Sequence, residues 1–358
     1  MLSKTLYNLF LVLYAAGVRT ASLWNPKAKK WVNGRKNIFA DINSKFILKV
    51  AGQNSKLVWM HCASLGEFEQ GRPLLEELKI KYPGIKILLS FFSPSGYEVM
   101  KDYKGADFIC YLPMDSPVNA KKFLDIVQPS LVLWVKYEYW FYYLDELKRR
   151  RIPTILVSGI FREDQPFFKW YGNIWKKMLE AFSHFFVQND ESEELLATLS
   201  IKDNVSVNGD TRFDRVLEIA QTFKPVPYIA EFCGNSIVIV AGSTWEEDEI
   251  ELLHFVKANP RIKFIIAPHE INEENLSDVK EEFPDSIFYS DFLKDSKADQ
   301  SPELTGTSGN LLIIDNVGML SRLYQYATIA YVGGGFGDDG VHNVLEAAVY
   351  GKPVVFGP

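Results

Sequence analysis

The sequence is poor in the residues that build metal centres and disulfide frameworks. Its 358 residues include five histidines and three cysteines, and the cysteines (Cys62, Cys110 and Cys233) are widely spaced. No group of potential ligands has metal-binding spacing, so the sequence predicts no metal site. Isolated cysteines are typical of a reducing compartment, where disulfides are rare.

An excess of basic charge, an internal repeat and a secretory signal are also missing. The net charge of −6 argues against general affinity for nucleic acid. The N-terminus lacks a basic region followed by a small-residue cleavage site, which argues against a signal peptide. The hydrophobic content of 47% is enough for sizeable cores, and the chain length suits two domains.

The N-terminal stretch combines an apolar segment with a basic, tryptophan-containing flank. Residues 2–18 are mostly apolar, but the run is too short and too interrupted to predict a spanning helix. The flank contains Trp24, Lys27, Lys29, Lys30, Trp31, Arg35 and Lys36. We therefore predict a membrane-associated helix with a basic flank over residues 1–36, bound to an anionic membrane surface. The alternative is a helix packed against its own globular domain.

Short apolar runs alternate with helical patterns along the rest of the chain, which predicts an α/β fold with parallel sheets. The predicted strands cover residues 57–60, 85–91, 107–111, 131–135, 154–158, 185–187, 236–241, 263–267, 311–314, 329–332 and 354–356. The stretch Lys224-Pro225-Val226-Pro227 predicts the linker between two domains, at 37–222 and 223–358. Residues 285–308 are polar and predict a loop or lid.

Two carboxylates follow predicted strands, at the sheet edge where ligands of parallel sheets bind. Glu67 lies at a helix N-terminus after the first strand, and Glu138 follows the strand at 131–135. We expect the positive end of the helix to keep Glu67 ionised. Each residue also has a structural interpretation, Glu67 as a partner of the helix dipole and Glu138 as a partner of Lys136.

Hydroxyl-bearing and glycine-rich turns follow several strands of the second half. Gly242-Ser243-Thr244 and His269 each come after a strand, and the glycine-rich turn 333–340 precedes Asn343, a potential helix cap, and Glu346. A helix N-terminus behind such a turn can bind an anion, and Glu346 could accept hydrogen bonds from two ribose hydroxyls. The alternatives are an ordinary β-α-β unit with a glycine turn, and a structural histidine.

In this order and spacing the motifs resemble those of the Kdo transferases, glycosyltransferases that move 3-deoxy-D-manno-octulosonic acid (Kdo) from CMP-Kdo to a lipid A precursor. The stretches that carry the resemblance are the N-terminal anchor, Ala63-Ser64-Leu65-Gly66-Glu67, Gly209-Asp210-Thr211-Arg212-Phe213-Asp214, Gly242-Ser243-Thr244 and His342-Asn343-Val344-Leu345-Glu346-Ala347-Ala348. The resemblance implies the GT-B fold, with two Rossmann-like domains facing a central cleft and an N-terminal membrane-associated helix. Chains of this family usually continue beyond Pro358, so we expect the second domain to be incomplete at its C-terminal end.

The resemblance also implies an inverting, metal-independent transfer without a cofactor, at the cytoplasmic face of the bacterial inner membrane. The implied partners are CMP-Kdo, a lipid A precursor and an anionic membrane surface, and not nucleic acid. Glu67 matches the catalytic base and Glu138 a second catalytic carboxylate, while Ser64 and Gly66 match the acceptor side. The residues matched to the donor nucleotide are Arg212, Gly242, Ser243, Thr244, His269, Gly334, Gly335, Gly340, Asn343 and Glu346.

The chain departs from the family pattern at four positions. Lys136, Phe141, Pro268 and Met319 stand where the family has a glutamate, a proline, an arginine and an acid. These changes affect individual contacts to the donor sugar and leave the base and the nucleotide site in place. Two alternatives stay open: another GT-B enzyme acting on a UDP-sugar, and a non-catalytic binding protein on the membrane surface.

Overall fold

The computed structural model describes residues 2–49, 56–295, 309–336 and 340–358. The chain forms two compact units, Met1–Thr211 and Arg212–Pro358. Each unit has its own parallel sheet and its own hydrophobic cores.

The first unit begins with three helices, α1 (Leu2–Ala21), α2 (Pro26–Asn33) and α3 (Ile38–Lys49), and continues as a doubly wound sheet. Its seven strands are all parallel, in the order β3-β2-β1-β4-β5-β6-β7. The strands are β1 (Leu57–Cys62), β2 (Lys86–Phe91), β3 (Phe108–Tyr111), β4 (Leu131–Val135), β5 (Thr154–Gly159), β6 (His184–Val187) and β7 (Val205–Val207). The helices are α4 (Leu65–Lys81), α5 (Pro94–Met100), α6 (Pro117–Val127), α7 (Phe141–Arg149), α8 (Asn173–Leu179) and α9 (Asp190–Thr198).

Strands β1 and β4 lie side by side, which brings two functional loops to one edge of the sheet. Their register pairs His61 with Trp134 near the carboxyl ends. Both strands are buried along nearly their whole length, as expected for apolar strands in a sheet covered on both faces. The segments that follow them, with Glu67 and Glu138, therefore leave the sheet at the same edge.

Helix α1 packs one face against the first unit. Tyr7 and Leu11 are buried in its core, and the Tyr7 hydroxyl donates a hydrogen bond to the Asp115 carboxylate at 2.7 Å. Trp31 of α2 is buried in the same core. Residues 1–36 therefore belong to the first unit and do not form a separate segment, because Tyr7, Leu11 and Trp31 are part of its core.

The outer face of α1 exposes a group of large apolar side chains: Leu6, Leu9, Phe10, Val12 and Leu13. The helix also exposes polar residues, among them Lys4, Asn8 and Arg19. Within the described residues, no single helix is long and apolar enough to cross a membrane, although α1 and α2 meet that test as a pair bent by 120°. The structure thus shows α1 packed on its own domain, with an apolar face left that this packing does not explain.

The second unit is a six-stranded parallel sheet in the order β10-β11-β9-β8-β12-β13. Its strands are β8 (Val238–Thr244), β9 (Lys263–Pro268), β10 (Ile287–Phe288), β11 (Leu311–Ile313), β12 (Ile329–Val332) and β13 (Val354–Phe356). Its helices are α10 (Arg212–Gln221), α11 (Ile229–Cys233), α12 (Glu246–Ala258), α13 (Glu273–Glu282), α14 (Tyr289–Asp295), α15 (Leu320–Leu323) and α16 (Leu345–Ala348).

The two units divide between Thr211 and Arg212, before the predicted linker. Helix α10 packs against α15 and α16, and Val226 of the predicted linker is buried in the core of the second unit. The boundary predicted at 222/223 therefore lies within the second unit, because Val226, between two exposed prolines, packs into its core.

Two further predictions are corrected in the second unit. Part of the segment expected to be a loop or lid forms β10 and α14, because Ile287 pairs with Leu312 at the end of the sheet. The rest of that segment, residues 296–308, lies outside the described residues, as do residues 337–339 of the glycine-rich turn. The helix expected to begin at Asn343 is a single turn, α16.

Candidate active site

Glu67 lies in the first turn of α4, directly after β1. Ser64 caps this helix, and its hydroxyl accepts the Glu67 N–H at 3.5 Å. The Glu67 carboxylate reaches back and accepts a hydrogen bond from the Ala63 N–H. The nearest atom to a Cβ placed at Gly66 would be the Ser64 hydroxyl oxygen, at 4.0 Å, so the backbone beside the carboxylate leaves room for a ligand.

The burial of Glu67 contradicts the prediction that the positive helix end keeps its carboxylate ionised. The side chain is buried, and this burial raises the pKa of Glu67 to about 8. The Ala63 N–H lowers the pKa, the carboxylate of Glu138 raises it, and the Lys136 ammonium lowers it by a smaller amount. Loss of hydration therefore outweighs the stabilisation from the helix end, and the carboxyl group holds its proton near neutral pH.

Glu138 comes from the loop after β4, and its Oε2 is buried without a hydrogen-bond partner among the described residues. Burial raises the pKa of Glu138 to about 7, although Trp140 and Arg35 oppose the shift. The alternative ion pair with Lys136 is not found in the described part of the chain. The Lys136 side chain is itself buried, with Nζ 4.5 Å from the centroid of the Tyr137 ring.

An apolar cavity of about 520 Å³ opens beside Glu138. Apart from Glu138 it is lined by Leu6, Tyr7, Phe10, Tyr14, Phe92, Tyr139, Trp140 and Trp175. Helix α1 therefore forms part of its wall. An apolar volume beside a carboxylate suits a ligand that combines a hydrocarbon part with a polar group.

One carboxylate of the second unit holds the glycine-rich turn against α12. Asp248 accepts hydrogen bonds from the Gly334 N–H (2.9 Å), the Trp245 N–H (3.0 Å) and the Tyr331 hydroxyl (2.5 Å). Gly334 has a φ of +93°, and a Cβ there would lie 2.5 Å from the Gly340 carbonyl oxygen. Glycine is required at this point of the turn, which Asp248 fixes in place.

Three rings from separate loops stack beside this turn. The ring centroids of Trp245 and His269 are 4.5 Å apart, and those of His269 and His342 are 4.4 Å apart. The Trp245 indole N–H donates to Nε2 of His342 at 2.9 Å. The sequence patterns predicted His269 as a site residue, but neither Trp245 nor His342. Their positions directly after a hydroxyl-bearing turn and a glycine-rich turn were the available signal.

The helix N-termini of this unit are weaker anion sites than the sequence predicts. Helix α16 has only four residues, too few for an effective dipole. Helix α12 is longer, but four acids in its first turn offset its positive end. At α16, the Asn343 amide donates to the Glu346 carboxylate at 3.2 Å, and Asn343 Oδ1 accepts the Leu345 N–H at 3.3 Å. The Glu346 carboxylate is thus oriented by a neighbouring side chain.

The residues Gly242 to Thr244, expected as a turn, form the irregular end of β8 and are shaped by buried groups. A Cβ at Gly242 would lie 2.2 Å from the Tyr324 hydroxyl oxygen, so this strand end is tightly packed. The Thr244 hydroxyl is buried and donates to Glu249 at 2.7 Å. Ser243 between them has a φ of +54°, an uncommon conformation for a residue with a side chain.

The predicted site residues form one group in each unit. Ser64, Gly66, Glu67 and Glu138 belong to the first unit and share one edge of its sheet. The second unit holds the predicted donor residues: Arg212, Gly242, Ser243, Thr244, His269, Gly334, Gly335, Gly340, Asn343 and Glu346. Within that unit Gly334, Gly340 and His269 lie around the ring stack. Arg212 begins α10, which packs against α16 and so lies near the helix that carries Glu346.

Two α/β units, each with a parallel sheet of the strand order given above, form a GT-B fold. Comparison with solved structures agrees. The UDP-GlcNAc 2-epimerase from Neisseria meningitidis superposes with a TM-score of 0.53 at 17% identity, over 84% of this chain and 81% of that one. This likeness shows the fold alone.

Residues 40–215 match the family model described as 3-Deoxy-D-manno-octulosonic-acid transferase (kdotransferase), and several 3-deoxy-D-manno-octulosonic acid transferases are similar to this chain over most of its length, which indicates a glycosyltransferase. The chain is 29% identical over 327 residues to the 3-deoxy-D-manno-octulosonic acid transferase of Aquifex aeolicus, covering 89% of this chain and 81% of that protein. It is 31% identical over 320 residues to a bifunctional glycosyltransferase/methyltransferase of Fusobacterium nucleatum, covering 85% of this chain. The chain spans about half of the length of that bifunctional relative, 48%.

Proposed function

We propose that the chain transfers Kdo, with inversion, from CMP-Kdo to a hydroxyl group of a lipid A precursor. The observation that carries the proposal is the pair of carboxyl groups at one sheet edge, the buried Glu67 and the half-buried Glu138, with an apolar cavity beside Glu138. A carboxylate can take the proton of a sugar hydroxyl, and the cavity suits part of an acyl chain. In this proposal the first unit binds the acceptor and the second unit binds the CMP-sugar.

In the proposed reaction, Glu67 acts as the base after it loses its own proton. It then accepts the proton of the acceptor hydroxyl as that oxygen bonds to the anomeric carbon of Kdo. The bond from this carbon to the phosphate oxygen breaks, and CMP leaves with the electron pair. Attack opposite the leaving group inverts the anomeric centre, and the nearby Lys136 favours the ionised form of Glu67.

The proposed donor site is metal-independent and lies in the second unit. Glu346, oriented by Asn343, is proposed to accept hydrogen bonds from the ribose hydroxyls. The rings of His269 and His342 offer nitrogen donors to the phosphate, and Arg212 offers a cation. Support for these roles comes from the resemblance and from the position of the rings beside the glycine-rich turn.

The test of the proposed function is mass spectrometry of a lipid A precursor after incubation with CMP-Kdo and the full chain. The expected result is a mass increase of one or more Kdo units with release of CMP. UDP release from a UDP-sugar would instead support a different GT-B enzyme. Turnover of neither donor would support a binding protein.

The pH dependence of the transfer should report the pKa of Glu67. Because the base must be ionised, kcat/KM should rise about tenfold per pH unit until it levels off near the pKa of about 8. A Lys136→Met variant removes a cation that lowers this pKa, so its profile should move to higher pH. A kcat/KM that stays constant from about pH 6 to about pH 9 would contradict the assignment of Glu67 as the base.

The outer face of α1 is proposed to attach the chain to the cytoplasmic face of the inner membrane. Leu13 is 61% exposed on that face, and Ile80 is 73% exposed on α4. Leu13→Gln should weaken partition onto lipid vesicles by about tenfold, since burial of a leucine side chain is worth roughly 1.5–3 kcal/mol. Sedimentation with vesicles measures this effect, and Ile80→Gln is the matched control. Equal partition of both variants would count against this role of α1.

A further inference from the structure

A second cavity of the first unit has a cationic wall. It measures about 700 Å³, and its charged lining residues are Arg19, Arg35, Lys36 and Lys122. Its lining residues include no aspartate or glutamate in the described part of the chain. Four positive charges around one cavity favour a ligand that carries negative charge.

Arg35 is the most buried of these cations, and the acceptors of its hydrogen bonds are all neutral backbone carbonyl groups. Its guanidinium donates hydrogen bonds to the carbonyl oxygens of Phe92 (2.7 Å), Leu112 (3.1 Å) and Trp31 (3.3 Å). It also lies 4.0 Å from the Trp31 ring centroid and 4.9 Å from that of Tyr111. The charge of Arg35 is therefore held in a fixed position by carbonyl groups and rings, and no ion pair with a carboxylate is found for it among the described residues.

Lys122 and Arg19 complete the opposite parts of the wall. The Lys122 ammonium lies 4.5 Å from the centroid of the Phe39 ring, another neutral partner. Arg19 and Ala15 come from the C-terminal half of α1, the helix whose outer face exposes Leu9 and Leu13. The cationic cavity and an exposed apolar surface thus share one helix.

We propose that this cavity binds the headgroup phosphate of an anionic membrane lipid, whose acyl chains lie along the exposed face of α1. Arginine and lysine donors bind phosphate oxygens through charge-assisted hydrogen bonds, and basic pockets beside membrane helices hold anionic headgroups. Attraction by the basic flank as a whole would include the lysines of α2, whereas binding in the cavity involves only its four cations. It does not depend on the transfer reaction.

The test compares two variants that lose the same charge. Lys36→Gln/Lys122→Gln removes two exposed lysines of the cavity, and Lys27→Gln/Lys29→Gln removes two exposed lysines of α2 that do not line it. Partition of the full chain is measured onto zwitterionic phospholipid vesicles with and without an added anionic phospholipid, at constant ionic strength. With the anionic lipid, the cavity variant should lose at least about tenfold more affinity than the α2 variant.

Two results would overturn the proposal. Equal losses in the two variants would mean that the attraction is diffuse and that the cavity is not a site. The second result combines two observations: the free chain binds inorganic phosphate and the cavity variant does not, while both variants partition equally onto vesicles. That result would assign the cavity to a soluble phosphate compound. Should the cavity variant unfold early, Lys36→Arg/Lys122→Arg must keep the parent's vesicle affinity.

Discussion

Glu67→Gln should reduce the turnover of Kdo transfer by about 10²–10⁴-fold, the usual contribution of general-base catalysis. The amide keeps the size of the side chain and can still accept the hydrogen bond from the Ala63 N–H, but it cannot take a proton. The measurement is the initial rate of CMP release at saturating acceptor and donor. Near-normal turnover would exclude Glu67 as the base and make Glu138 the next candidate.

The fold and the nucleotide site provide the controls for this variant. Affinity for CMP should stay within about twofold of the parent, because the proposed nucleotide residues belong to the second unit. The folded-state pKa of Glu67, about 8, lies above its ordinary value of 4.5, so protonation stabilises the fold. That contribution is fully present below pH 4.5 and is lost as pH rises through 8. At higher pH the glutamine variant should therefore unfold at or above the temperature of the parent.

Glu346→Ala should weaken CMP binding by roughly 1.5–3 kcal/mol, or about 10–150-fold, the value of charge-assisted hydrogen bonds. The carboxylate is partly buried and oriented by Asn343, so it offers a fixed acceptor to ribose hydroxyls. Isothermal titration calorimetry with CMP measures the loss. Glu251→Ala, at an exposed position of α12, removes the same charge from the same unit and should leave the Kd unchanged.

The stability of the Glu346→Ala variant separates binding from folding. Its unfolding midpoint should be close to that of Glu251→Ala, since Glu346 lies on a single-turn helix at the surface of the unit. An unchanged CMP affinity would remove Glu346 from the nucleotide site. A loss of affinity that follows a loss of stability would show that the residue supports the turn and does not contact the ligand.

Local sequence patterns predicted most strands of both sheets, and also the two loops at the edge of the first unit's sheet that carry Glu67 and Glu138. Strands β4, β12 and β13 have the predicted bounds because each is a continuous apolar run. Only β4 is buried along nearly its whole length, whereas β13 is an edge strand with two exposed residues. Parallel order then places Glu67 and Glu138 at a common edge. These predictions depend only on the residue pattern within each segment and on the right-handed crossovers between parallel strands.

What the sequence could not provide depends on contacts between distant residues. The pKa of Glu67 depends on how deeply several segments bury it, which its position at a helix end does not reveal. The stack of Trp245, His269 and His342 joins three loops of one sheet. The docking of α1 rests on the bond from Tyr7 to Asp115, which lie 108 positions apart. Each of these features follows from packing and not from local propensity.

Helix α1 has an outward surface and a surface that lines the cavity, and the helix fixes the distance between the two. Its outward side exposes Leu9 and Leu13, while Tyr7 and Tyr14 of the same helix line the cavity that contains Glu138. Because Asp115 accepts hydrogen bonds from the Tyr7 hydroxyl and the Tyr142 N–H, the helix cannot shift without disturbing the start of α7. With α1 resting on the bilayer as proposed, a lipid needs to rise by little more than one helix diameter, about 10 Å, to reach the carboxylate. Under that proposal, the thickness of α1 sets the distance between the membrane surface and Glu138.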